Sequence, residues 1–153
     1  MDLILWRHAE AEDGNDDLAR TLTRRGHKQA GQMAAWLRDR LPAHYELWVS
    51  EARRSQQTAG YLRKDFRVER GINPDIGWAD VLKAIDWPHG GSRTVVVVGH
   101  QPYIGRIASS LLCEQPLYFS VKKGSVWWLQ HKAHGDLEQV RLRVMMPVSM
   151  LQN

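Results

Sequence analysis

Apolar residues fall in short unbroken runs, separated by longer stretches in which apolar and polar positions mix at helical spacing. Leu3-Ile4-Leu5-Trp6, Leu47-Trp48-Val49 and Val95-Val96-Val97-Val98 are the three clearest runs. Runs this short and this continuous predict strands buried on both faces, here over 3–7, 47–50 and 94–98. The four consecutive valines are β-branched, which favours extended backbone. Ala30, Met33, Ala34, Leu37 and Leu41 recur at steps of three and four. That period predicts a helix over 24–41, with Thr23 as its N-cap and Pro42 as its stop. Further helices are expected over 52–65, with Ala59 and Leu62 on one face, over 79–85, and from Pro102 to about 112. Pro102 suits a first helical turn. Residues 9–20 read as a polar loop, and 67–78 as irregular chain broken by Pro74 and Gly77. Residues 86–93, with Pro88, Gly90 and Gly91, read as a surface loop. Two last strands, over 125–130 and 137–145, meet at His134-Gly135-Asp136 and predict a hairpin. The order β-α-β-α-(α)-β-α-β-β implies an α/β fold, a three-layer sandwich around a mainly parallel sheet. Residues 1–153 fit one domain.

Composition narrows the function classes. The formal net charge is +4, but the basic residues are spread along the chain. No Lys/Arg block, aromatic-basic interleaving or zinc-finger spacing is present, so no nucleic-acid partner is expected. Seven Trp residues in a chain of this length point mainly to core and sheet packing. Cys113 is the single cysteine, which rules out an intrachain disulfide and predicts a buried thiol in the 107–112 apolar stretch. The N-terminus carries one acid and a four-residue apolar run before Arg7. It has neither the pattern of a signal peptide nor that of a membrane span, so a cytoplasmic location and no membrane partner are expected.

Three strand ends carry the candidate chemistry. Arg7-His8 follows the first run, Ser50-Glu51-Ala52-Arg53-Arg54-Ser55 the second, and Gly99-His100-Gln101-Pro102 the third. In open α/β sheets ligands bind outside the carboxyl ends of the strands. A neutral imidazole at His8 has a lone pair for attack on phosphorus. Arg7 and Arg54 disfavour its protonated form and can grip phosphoryl oxygens bidentately. His100 can add a donor opposite His8. Charge on the transferring group would then be held by fixed donors, the main lever in this chemistry. No Asp/Glu cluster with metal-ligand spacing flanks the histidines, so no metal or other cofactor is expected. Each element alone is weak. Their joint placement behind three apolar strands is what favours a phosphoryl-transfer site.

The segments Leu5-Trp6-Arg7-His8-Ala9-Glu10, Arg20 to Ala30, Ser50 to Ala59 and Val98-Gly99-His100-Gln101-Pro102 together resemble the histidine phosphatase superfamily, branch 1. Within that phosphoglycerate mutase-like branch they are most similar to the compact SixA-type phosphohistidine phosphatases. The likeness covers residues 3 to about 112 and implies a phosphoglycerate mutase-like fold. It also implies His8 as nucleophile, and Arg7, Arg54 and His100 as its phosphate-pocket partners. The resemblance assigns the role to Arg54 and not Arg53, because Arg54 lies four residues after Ser50 and four before Thr58, as the family pattern requires. Gln57 and Thr58 are expected to orient the helix carrying Arg54. Arg20 falls in the subgroup's loop motif and is a substrate-binding candidate, the alternative being a solvated loop arginine.

One departure bears on substrate. Larger members carry a Glu between the second and third motifs that protonates an alkoxide leaving group. Here no Glu can be matched to that role. Glu69, Asp75 and Asp80 are weak candidates, and Glu10 and Glu12 read as loop residues. An alkoxide needs a proton in the transition state, whereas a phosphorylated imidazole releases a far less basic nitrogen. The expected activity is therefore a metal-independent phosphatase with a phosphohistidine intermediate, acting on phosphohistidine in a protein such as a phosphotransfer protein. Phosphatase action on small phosphate esters is the alternative, with a mutase or a phosphate-recognising binding module further behind. A short chain implies an open pocket, whose rim Trp6, Trp78 and Trp87 could line if they do not pack in the core.

Overall fold

In the computed structural model, residues 1–89 and 91–151 are described; Gly90 of the expected 86–93 loop lies outside them. Six strands form one sheet: β1 (Asp2–Arg7), β2 (Glu46–Val49), β3 (Arg67–Val68), β4 (Thr94–Gly99), β5 (Val126–His134) and β6 (Leu137–Met146). Their order is β3-β2-β4-β1-β5-β6. The first four run parallel, and the β5–β6 hairpin joins β1 antiparallel. This is the α/β fold with a mostly parallel central sheet that the alternation implies.

Side chains on a strand alternate between faces, and both faces here are covered. Leu3, Leu5, Val95 and Val97 pack toward α3 (Trp78–Ala84) and α4 (Tyr103–Cys113), meeting Val81, Leu82, Ile104 and Ile107. Ile4, Trp6, Leu47, Val49, Val96 and Val98 pack toward α1 (Arg24–Arg38) and α2 (Arg53–Gly60), meeting Met33, Ala34, Leu37 and Ala59. Trp6 is fully buried in this second layer, and Trp78 and Trp87 pack against the first. Core packing therefore accounts for all three.

Several boundaries differ from the sequence pattern. Thr23 caps α1 through a hydrogen bond from Gly26 N, but the helix ends at Arg38, and 39–41 close as a turn in which Leu41 N donates to Leu37 O. The Pro42 stop thus acts one turn ahead of the proline. The helix expected over 52–65 ends at Gly60, while Leu62 stays buried through the turn that follows. Strand β3, expected as irregular chain, has two exposed residues and so leaves no apolar signature. Cys113 is exposed, not buried. It is the last residue of α4, whose buried face is carried by Tyr103, Ile104, Ile107 and Ala108, and Glu114 in left-handed conformation ends the helix there.

Two glycines shape the end of the sheet where the motifs lie. A Cβ on Gly26 would run into the Glu10 carbonyl, so the first turn of α1 lies directly against the chain leaving His8. Gly124 has φ +78°, a conformation glycine adopts without strain, in the turn that enters β5.

Candidate active site

The sheet order brings the three motifs together. Strand β4 lies between β1 and β2, with Arg7 opposite Gly99 and Val49 opposite Val98. The ladder continues one step beyond the strands: His8 N donates to Gly99 O at 3.1 Å and Ser50 N to Val98 O at 3.3 Å. Residues 8, 50 and 100 therefore emerge side by side at the carboxyl edge, where a crevice opens between strand ends and helix N-termini.

His8 and His100 are nearly buried, at 6% and 2% exposure, with ring centroids 5.2 Å apart. Nδ1 of His8 donates to the Ala9 carbonyl at 2.8 Å, which leaves the lone pair on Nε2. Nε2 accepts from Arg54 Nε at 3.3 Å. Arg54 stands in the first turn of α2 at 4% exposure, whereas Arg53 points to solvent. Its Nη2 donates to His100 Nδ1 at 3.4 Å, so His100 carries its proton on Nε2. That proton reaches Ser50 Oγ at 2.7 Å. Ser50 can also donate, which would let His100 reverse its tautomer and present Nδ1–H to an anion. Ser50, whose oxygen also accepts from Ala52 N at 3.0 Å, had no role in the sequence reading beyond marking the motif. Arg7 spends Nη1 on the Val121 carbonyl at 2.7 Å, and its Nε has no partner among the described residues.

Gln57 and Thr58 tie the loops to α2. Thr58 Oγ1 donates to Arg54 O at 2.7 Å and accepts from Ala9 N at 3.1 Å. Gln57 Oε1 accepts from Leu22 N at 2.7 Å. The nucleophile candidate and the arginine are thus fixed to one hydroxyl.

Burial is the main reason both imidazoles are hard to protonate. The His8 pKa falls to about 3 by desolvation, helped by the charges of Arg54, Arg7 and Arg20 against an opposing bond to Ala9. The His100 pKa falls to about 2, by desolvation first and then by His8 and the same arginines. Both rings are neutral at pH 7. Below the unfolded value of about 6.5 the unfolded chain binds protons that the folded protein excludes, so folding stability falls as pH drops from about 6.5 toward 3. Each ring contributes a slope of about 1.4 kcal/mol per pH unit inside that window. Chemical denaturation of His8→Gln between pH 6 and 4 is expected to show a shallower loss than wild type. Identical slopes would contradict the depressed pKa.

Asp17, which lies in a polar stretch with no motif around it, closes over the site. Its carbonyl accepts from Arg54 Nη1 at 2.7 Å and its Oδ2 from Nη2 at 3.2 Å. Its Oδ1 pairs with Arg20 Nη1 at 3.0 Å. Burial raises the Asp17 pKa, but the Arg20 hydrogen bond and the Arg54 charge outweigh it and hold the carboxyl below the ordinary value. Arg20, also bonded to the Glu12 carbonyl at 2.7 Å, stands behind Asp17 and reaches the histidines through its charge. Asp17→Asn would remove an anion that competes for Arg54. It is expected to tighten binding of inorganic phosphate by a factor of a few, measured by calorimetry; weaker binding would contradict that competition.

Glu69 and Glu10 are engaged elsewhere. Glu69 caps the turn at Arg70–Ile72 by accepting from Gly71 N at 3.2 Å, and pairs with Arg67 at 3.1 Å. Glu10 pairs with Arg25 at 3.7 Å. Asp80 lies in the first turn of α3, and Asp75 sits at φ +70° in the preceding loop. Among the described residues, Asp17 is the carboxylate bonded to the cluster. Broad clefts lie beside the cluster and at the opposite end of the sheet, the latter lined by Met1, Asp2 and Thr94. No helix among the described residues is long and apolar enough to cross a membrane.

The chain belongs to the histidine phosphatase superfamily (branch 1), which its sequence matches over residues 3–77. It is 31% identical over 131 residues to the phosphohistidine phosphatase SixA homolog of Haemophilus influenzae, covering 72% of this chain and 77% of that protein. The fold is also that of the SixA protein of Nakamurella multipartitia, with 26% identity, 95% of each chain covered and a TM-score of 0.80. A structure of the protein histidine phosphatase SixA complexed with tungstate superposes with a TM-score of 0.79 at 21% identity, over 97% of this chain and 98% of that one.

Proposed function

We propose that this protein hydrolyses phosphohistidine on another protein, with His8 as nucleophile and Arg7, Arg54 and His100 as the phosphoryl-binding groups. The observation that carries this reading is the His8 ring. Its Nε2 lone pair faces a buried arginine, and its other nitrogen is locked by a carbonyl. Nε2 attacks phosphorus, the N–P bond to the substrate imidazole breaks, and the leaving nitrogen takes a proton from solvent. Water then attacks the phosphoryl on Nε2, releases phosphate and restores the neutral ring. Arg7 and Arg54 hold the equatorial oxygens in both steps, as fixed donors already oriented toward the charge that develops there. The oxyanion must displace Asp17 from Arg54, a carboxylate that already marks the place for an anion.

Two further points support the substrate class. Asp17 is held ionised by two arginines and is poorly suited to protonate an alkoxide. The homology runs to proteins named as phosphohistidine phosphatases. Tungstate, the anion bound in one SixA structure, is a tetrahedral oxyanion like phosphate and is the inhibitor to test. The test is phosphate release from a histidine-phosphorylated carrier protein, beside a phosphoserine peptide and a sugar phosphate. Release from phosphohistidine, blocked by tungstate, is the expected result. Turnover of the sugar phosphate alone would move the activity to small esters on the same scaffold.

A further inference from the structure

The net positive charge of this chain matches that of a cleft beside the site. Arg7, Arg25, Lys28, Lys122 and Lys123 border a cleft of about 750 Å³ in which, among the described residues, Glu10 is the sole acidic lining residue. Five cations against one carboxylate give the lining a formal excess of +4, equal to that of the whole chain. The remaining Lys, Arg, Asp and Glu of the chain therefore sum to zero. Glu10 is already paired with Arg25. Lys28, Lys122 and Lys123 are exposed, and none of the ion pairs among the described residues includes them.

The cleft is held rigidly to the reaction centre. Lys122 and Lys123 lie in a turn anchored at both ends to the residues at the tip of β1. Val121 O accepts from Arg7 Nη1 at 2.7 Å, and Gly124 N donates to Arg7 O and His8 O, each at 3.1 Å. Ser125 N closes the turn on Lys122 O at 3.0 Å. Arg25 and Lys28 are three apart on α1 and share a face. Arg7 belongs both to this wall and to the cluster around His8, so the cleft runs out from the phosphoryl position. A phosphoryl group needs only the Arg7 and Arg54 end; the three lysines have no part in the chemistry proposed above.

We propose that this cleft docks an acidic segment flanking the phosphohistidine of the substrate protein, and so selects which phosphohistidines are hydrolysed. The proposal rests on the phosphohistidine reading. An acidic polypeptide is favoured over a nucleic acid because, among the described residues, no aromatic side chain lines the cleft to stack a base. Charges arranged this way raise association rates and bias partner choice, and salt screens them.

The test compares the full chain with a Lys28→Glu/Lys122→Glu/Lys123→Glu variant on two phosphohistidine peptides, one flanked by Asp and Glu and one by Asn and Gln. Phosphoramidate serves as a small probe without flanks. Wild type is expected to favour the acidic peptide by about tenfold in kcat/KM at low salt, a preference that fades toward ~0.5 M salt. The variant should lose the preference and hydrolyse phosphoramidate at the wild-type rate. Equal use of both peptides by wild type, or a preference kept by the variant, would overturn the proposal. Lysine-dependent binding of a labelled oligonucleotide, with the peptides used alike, would overturn it in favour of nucleic acid. Should no phosphohistidine be turned over, the function reading fails instead. Fluorescence anisotropy of the unphosphorylated peptides then still decides the cleft: tighter, lysine-dependent binding of the acidic one supports it, and equal binding overturns it.

Discussion

His8→Ala is expected to lower phosphohistidine hydrolysis by about 10⁴-fold or more, while oxyanion binding persists. Removing the nucleophile deletes the covalent route, and losses of on the order of 10⁴–10⁶ accompany removal of a nucleophile in other enzymes of this kind of two-step chemistry. The arginines do not depend on the ring for their places. Arg54 also bonds the Asp17 backbone carbonyl, a contact separate from the carboxylate that an oxyanion displaces, and Arg7 bonds the Val121 carbonyl. Tungstate should therefore still bind the variant within a few-fold of wild type, measured by calorimetry. Loss of both activity and binding would mean that the ring supports the pocket rather than attacking. Retained activity would remove His8 from the reaction. The same variant separates an enzyme from a binding module, which would keep its affinity and have no turnover to lose.

Arg54→Lys is expected to cost about 10³-fold in kcat/KM, nearly as much as Arg54→Ala. An arginine placed on a transferring phosphoryl group contributes roughly 10³–10⁵ in rate, and Lys cannot supply the planar fork. Here the fork is used in full: Nε reaches His8, Nη2 reaches His100 and Asp17, and Nη1 reaches the Asp17 carbonyl. An ammonium could satisfy one of these directions and would leave the others unpaired at a nearly buried position. Circular dichroism and thermal melting should show the variant folded, because α2 keeps its Thr58 anchor to Ala9. Near wild-type kcat/KM for the Lys variant would show that charge alone is enough and that the fork geometry is incidental.

Strands β1, β2 and β4 were legible because each is buried on both faces, and burial on both faces removes every polar interruption from the run. The three motifs were legible for a related reason: each follows such a run directly, and the parallel ladder carries them to one edge. What escaped was whatever depends on exposed or scattered residues. Strand β3 has two exposed side chains and no pattern. Asp17 lies half-exposed in a polar loop and gains its meaning only from Arg54, 37 residues away. The basic cleft draws on residues 7, 25, 28, 122 and 123, which read along the chain as evenly spread charge. The apolar stretch before Cys113 belonged to the buried face of α4, but the thiol falls at the helix end, off that face.

The central claim is that the phosphoryl group passes from a protein phosphohistidine to His8. The most direct measurement is to mix the protein with a carrier protein carrying ³²P on histidine, quench in alkali within the first turnover, and map the label. A phosphoramidate survives alkali and is lost in acid. The expected result is alkali-stable, acid-labile label on the peptide containing residue 8, decaying as phosphate appears and absent in His8→Ala. Phosphate released at the wild-type rate with no label on that peptide, or undiminished release by His8→Ala, would contradict the account.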